Sequence, residues 1–141
     1  MIKKGSAVWK GGIRDGGGTI STETGVLRDA PYGFKSRFEN GPGTNPEELI
    51  GAAHAGCFSM ALSVILGEAG LTADKIETQA AITLLKQDAG FAITASHLTV
   101  VARVPNATPA QFTELANKAK AGCPVSKVLN ATITMDARLE A

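Results

Sequence analysis

The stretch from Leu49 to Gly67, LIGAAHAGCFSMALSVILG, carries no charged residue. It is as long as a bilayer-spanning helix, which takes about 20 apolar residues. Its detail argues against a span. Gly51, Gly56, Gly67, His54, Ser59 and Ser63 interrupt it, and much of the rest is alanine. Glu47, Glu48 and Glu68 flank it, with no Lys or Arg anchor. A helix apolar on every side belongs inside protein. One sheet covers one side of it. A second copy of the chain is the natural cover for the other, so an intimate homodimer is expected.

The signals around this helix give an α+β chain. Asn45 before Pro46 suits a helix start, Thr44 and Glu47 have capping-box spacing, and Gly70 is a stop. Upstream, SAVWKGG and GTISTETGVL read as short strands joined by the turn GGIRDGGG, with a third strand expected around YGFKSRFE. That turn has no following helix, so it is not a phosphate loop. Downstream, IETQAAITLLKQ and FAITASHLTVVARV form a long hairpin about the turn DAG. The apolar positions of its second strand slip from odd to even, which predicts a bulge near Ser96. Thr108, Pro109 and Gln111 open a second helix that Gly122 ends, and CPVSKVL adds one more turn. ATITMDARLEA closes the chain as a strand with one buried face. The order ββ(β)αββαβ predicts an α+β protein with a mostly antiparallel sheet, in one domain over residues 1–141.

Composition narrows the partners. The chain has 141 residues, 44% of them hydrophobic and 19% charged, and a net charge of +1. That is a soluble, globular balance. No basic stripe points to nucleic acid. The start, MIKKGSAVWK, has no apolar run behind its lysines and is not a secretory signal, so a cytoplasmic, reducing setting is expected.

Only two cysteines are present, Cys57 and Cys123. Each is either a small core hydrophobe or a reagent. Cys123 lies between Gly122 and Pro124 at an expected helix start, where backbone N–H groups favour a thiolate. Cys57 lies mid-helix, where burial raises a thiol pKa unless a cation comes close. Arg37 in KSRFEN and Arg14 in GGIRDG are candidate cations, and Glu47 or Glu48 can orient one of them. Glu47 and Cys57 are ten residues apart on one expected helix, about 15 Å along it and about 80° around it. They cannot touch directly. If they share a site, an arginine bridges them or a partner chain supplies one. His54, one turn before Cys57, is read as a core or interface residue. With His97, Cys57 and Cys123 it matches no zinc spacing, so neither a metal nor a cofactor is expected.

PYGFKSRFENGPGTNPEELIGAAHAGCFSMALS and KAKAGCPVSKVL resemble the OsmC family, the osmotically inducible bacterial proteins grouped with the organic hydroperoxide resistance (Ohr) proteins. The opening KKGSAVWKGGI and GTISTETGVL extend the resemblance over nearly the whole chain. It implies an intertwined homodimer, with sheets wrapped around two central helices, and a thiol peroxidase that reduces organic hydroperoxides in oxidative and osmotic stress defence. Cys57 matches the cysteine that attacks the peroxide and becomes a sulfenic acid. Cys123 matches the one that resolves it as a disulfide. The assisting arginine and glutamate fall on Arg37 and Glu47. In the Ohr branch the arginine lies in a segment like GGIRDG, which would select Arg14; the SRFE context is that of the OsmC branch and selects Arg37. The implied reductant is a dithiol, of lipoyl type in related proteins. An apolar pocket lined by Phe58, Met60 and Phe38 would favour organic peroxides. The alternatives are a dimer that binds an apolar ligand or senses oxidation without turnover, and a structural dimer with passive cysteines.

Overall fold

A computed structural model describes residues 1–140. The chain divides into two compact units, Met1–Leu49 and Ile50 onward.

In the first unit β1 (Gly5–Lys10), β2 (Gly17–Thr22) and β3 (Ala30–Tyr32) form an antiparallel sheet in that order. Ala7 lies opposite Ile20, and Gly18 opposite Tyr32. Trp9 and Tyr32 meet edge to face, 5.5 Å between ring centroids. Gly18 makes room for them: a Cβ there would stand 2.6 Å from Tyr32 Cε1 and 2.9 Å from Trp9 Cε3. GTISTETGVL is strand only to Thr22. Beyond it the backbone folds into a turn closed by Leu27 N–H on Thr22 Oγ1, 3.1 Å, with Gly25 at φ +79.

The expected third strand stops at Tyr32, and α1 (Phe34–Phe38) replaces the rest of it. The cause is local. Ser36 Oγ accepts the Gly33 N–H at 2.8 Å and donates to the Gly33 carbonyl at 3.1 Å, which bends the chain into a helical turn.

The long helix α2 (Pro46–Glu68) forms as expected. Asn45 caps it, its Oδ1 accepting Glu48 N–H at 2.8 Å. The expected Thr44–Glu47 capping box does not form: Thr44 donates to Glu48 instead, and Glu47 pairs with Arg37. Gly70, at φ +77, follows the helix, and Leu71 N–H returns to the Leu66 carbonyl at 2.8 Å.

In the second unit β4 (Lys75–Gln87) and β5 (Gly90–Arg103) form the expected hairpin. The register slips between Thr83 and Leu84, which leaves Thr94 as the extra residue in β5, two positions before Ser96. The helices α3 (Pro109–Gly122) and α4 (Pro124–Val128) lead to β6 (Thr132–Leu139). Thr108 caps α3 by accepting Gln111 N–H at 3.2 Å. β6 pairs with β5 in parallel, so this sheet is mixed, in the order β4-β5-β6. A helical crossover returns the chain to the end it came from, and a strand added there runs parallel. Phe58, Leu62 and Leu66 of α2 pack with Leu98, Val100 and Ala102 of β5 and with Phe112 and Ala116 of α3. Gly51 lets α2 approach the sheet: a Cβ there would stand 2.9 Å from the Ala80 carbonyl oxygen.

Only one face of α2 is covered. Met60 is 74% and Val64 61% exposed. Burial on every side, expected from the sequence, is not supplied by one chain. The helix is long and apolar enough to cross a membrane by length and composition.

Candidate active site

Cys57 lies near the middle of α2, and Cys123 in the joint between α3 and α4. Both are free thiols, with sulfurs 2.9 Å apart. That is a reduced pair, since a disulfide bond is about 2.05 Å long. Neither spacing nor periodicity predicts this contact. The fold makes it by packing α2 and α3 into one core, where Cys123 is fully buried and Cys57 half-buried.

The two thiols are not equivalent. Burial raises the Cys57 pKa, and the hydrogen bond to Cys123 raises it further. Cys123 also resists ionisation through burial, but Cys57, the N–H groups of Val125 and Ser126 and the Ser126 hydroxyl outweigh this and bring it below the usual thiol value. None of them closes a short capping bond on the reduced sulfur. The Val125 and Ser126 groups present positive ends at the start of α4. The sequence expectation of an acidic Cys123 and a suppressed Cys57 therefore holds within this unit.

A third group joins the thiols. His54 is fully buried on α2. Its Nδ1 lies 2.7 Å from Ser96 Oγ and its Nε2 2.7 Å from Ser126 Oγ. Burial lowers its pKa, which favours the neutral ring. It is a core histidine, one of the two readings the sequence left open, and it is bonded to Ser126, three residues past Cys123. His97 is elsewhere, on β5, with Thr134 Oγ1 at 2.6 Å and Asp136 Oδ2 at 3.1 Å. The importance of Ser126 was not legible from its position alone, although it stands at capping-box spacing from Cys123.

The other two expected site residues meet in the first unit. Arg37 on α1 donates from Nε at 3.2 Å and Nη2 at 2.9 Å to Oε1 of Glu47, in the first turn of α2. Glu47 is buried, and its Oε2 has no hydrogen-bond partner among the described residues. Two bonds to one oxygen hold the guanidinium in a fixed plane. Arg14 does something else: its guanidinium stacks over Phe34, 4.6 Å from the ring centroid. Beside Arg37 lies a cavity of about 270 Å³, lined by Trp9, Ile13, Tyr32, Phe34, Arg37 and Phe38. It is aromatic on most sides, with one guanidinium edge. Of the expected pocket residues only Phe38 lines it. Phe58 is in the core instead, and Met60 stands on the exposed face of α2.

Known proteins share this arrangement of elements. The family described as OsmC-like protein matches residues 39–138. The chain is 59% identical over 138 residues to Peroxiredoxin OsmC of Escherichia coli (strain K12), covering 98% of this chain and 96% of the relative. It is 32% identical over 124 residues to the organic hydroperoxide resistance protein OhrB of Bacillus subtilis (strain 168), covering 87% and 88%. The crystal structure of OhrB superposes with a TM-score of 0.69 over 96% of this chain and 98% of that one, at 27% identity. An OsmC-like protein from Mycoplasma pneumoniae gives a TM-score of 0.76 at 14% identity, over 100% and 99%, a likeness of fold alone. By sequence and by fold, the chain is a member of the OsmC-like protein family.

Proposed function

We propose that this chain is a thiol-dependent peroxidase that reduces organic hydroperoxides to alcohols. The observation that carries the reading is the reduced Cys57–Cys123 pair with sulfurs 2.9 Å apart. Peroxiredoxin OsmC and OhrB, which it resembles along most of its length, bear names for this chemistry.

Cys57 is the proposed nucleophile. Its thiolate attacks the distal peroxide oxygen, the O–O bond breaks, and the alkoxide leaves as the alcohol once protonated. Cys57 is then a sulfenic acid. Cys123 attacks that sulfur, the S–O bond breaks, and the thiol proton leaves with the hydroxide as water. A dithiol, of lipoyl type in our reading, reduces the resulting disulfide.

Within the second unit the proton is better kept on Cys57 than on Cys123. A nucleophilic Cys57 therefore needs a cation, and Arg37 is our assignment. One Glu47 oxygen accepts from two N–H groups of Arg37, whereas Arg14 has a stacking contact with Phe34. The aromatic cavity beside Arg37 suits an alkyl or aryl group next to a peroxide oxygen.

We also propose a homodimer. Met60 and Val64 leave an apolar stripe on α2 that a second copy would cover. The cytoplasm is the proposed location, since a transient catalytic disulfide is compatible with a reducing compartment.

Steady-state turnover with cumene hydroperoxide and with hydrogen peroxide, under a dithiol reductant, tests the reading. Turnover that favours the organic substrate is expected. Stoichiometric oxidation without turnover would favour a sensor, and no reaction a structural role.

A further inference from the structure

The peroxidase chemistry above leaves the fully buried His54 unused. Its imidazole has a hydroxyl 2.7 Å from each ring nitrogen, and burial favours the neutral ring. Its partners come from different elements: Ser96 from β5, Ser126 from α4. Ser126 is the third residue of α4 and Cys123 is that helix's N-cap; the Ser126 hydroxyl is among the groups that hold the Cys123 pKa down, with no closed bond to the reduced sulfur.

The donors can be placed. A neutral imidazole has one N–H and one acceptor nitrogen. If Ser126 donates its proton to the Cys123 sulfur, its oxygen is free to accept from Nε2–H. Nδ1 then accepts from the Ser96 hydroxyl. All three bonds run one way, from Ser96 through His54 and Ser126 to Cys123. With the opposite tautomer Ser126 would give its proton to Nε2 and present only lone pairs to the sulfur.

We propose that His54 is a positioning residue for disulfide closure: as its Nε2–H tautomer, with Ser96 donating to Nδ1, it holds the Ser126 hydroxyl as a donor to Cys123 and so presents the resolving sulfur as a thiolate. The other titratable group facing Cys123 is Cys57, on the same helix as His54. In the closing step the Cys123 thiolate forms the S–S bond, the Cys57 S–O bond breaks, and the departing hydroxide takes up a proton to become water. The inference rests on the peroxidase reading, but its effect on the Cys123 proton does not require turnover.

Two measurements separate the two. In a Cys57→Ser background, thiolate absorbance near 240 nm reports Cys123 alone. Ser126→Ala and His54→Leu should each raise its pKa by about one unit, about a tenfold loss of thiolate at neutral pH. Ser126→Thr and His54→Gln, which keep a hydroxyl and an N–H, should stay near the parent value. In the two-cysteine protein, rapid mixing with cumene hydroperoxide and dimedone trapping should show Cys57 sulfenate forming at the normal rate in Ser126→Ala. Disulfide closure should slow about tenfold near pH 7 and recover at high pH. A general loss of structure would not recover with pH. An unchanged Cys123 titration, or closure at the parent rate in both Ser126→Ala and His54→Leu, overturns the proposal. A parent protein that forms no sulfenate refutes the peroxidase reading instead, and the titration alone then decides the role of His54.

Discussion

Glu47 accepts both of its hydrogen bonds from one residue, Arg37, and leaves Oε2 buried without a partner among the described residues. Changing Glu47 to Gln therefore does two things. It removes the charge that makes the two bonds strong, and it puts an amide NH₂ at a buried position where the carboxylate oxygen has no partner among the described residues. A hydrogen bond to a charged group contributes about 1.5–3 kcal/mol. The Arg37 side chain is 37% exposed, so solvent screening lowers that to about 1–2 kcal/mol. If Glu47 serves only to aim Arg37, its loss should reduce kcat/KM for cumene hydroperoxide by about 5- to 30-fold. The informative assay is a double-mutant cycle on kcat/KM with Arg37→Gln, Glu47→Gln and the pair. Arg37→Gln should cost at least as much as Glu47→Gln, and adding Glu47→Gln to it should cost nothing more. A further loss of about tenfold in the Arg37→Gln background would show that Glu47 acts on catalysis directly and would refute the anchoring role.

Other consequences are open to measurement. Gly51→Ala would put its Cβ 2.9 Å from the Ala80 carbonyl oxygen, so urea denaturation should show a loss of about 1–3 kcal/mol; an unchanged midpoint would contradict the close approach of α2 to β4. Val64→Asp adds a charge to the exposed stripe of α2 and should give monomers in sedimentation, whereas a mutant that stays dimeric places the dimer contact elsewhere. The lowered pKa of reduced Cys123 also has a sign. Its stabilising contribution is complete above the usual thiol value of 9.0 and is lost as pH falls through the lowered value. The stability gap between reduced wild type and Cys123→Ala should widen as pH rises toward 9, and a gap that narrows instead would mean that the folded pKa is raised.

Periodicity and punctuation gave the long elements because their causes are local. Asn45 and Pro46 start α2, Thr108 and Pro109 start α3, and Gly90, at φ +119, ends the hairpin turn. The misread elements depend on contacts that pattern does not carry. Tyr32, Phe34, Ser36 and Phe38 alternate as a strand would, yet the Ser36 hydroxyl closes on Gly33 and makes a helix. The alternation of β6 is the same for a parallel or an antiparallel strand, and only the crossover through α3 and α4 separates them. For the site, a cation (Arg37 or Arg14) with an orienting carboxylate (Glu47 or Glu48) was legible from the residues. The choice of Arg37 and Glu47 came from the family resemblance, and the structure shows these two bonded to each other. The His54 chain was not legible, because Ser96 and Ser126 lie 42 and 72 positions away in sequence.

The order of the two thiols is the claim on which the account turns, because within the second unit Cys123 is the more acidic. The most direct test is to mix reduced wild type, Cys57→Ser and Cys123→Ser with one equivalent of cumene hydroperoxide and follow thiol loss and dimedone adducts by mass spectrometry. Fast loss of two thiols is expected in wild type, a trapped sulfenate on Cys57 in Cys123→Ser, and no fast reaction in Cys57→Ser. Fast consumption of peroxide by Cys57→Ser, with the adduct on Cys123, would reverse the assignment of nucleophile and resolving thiol.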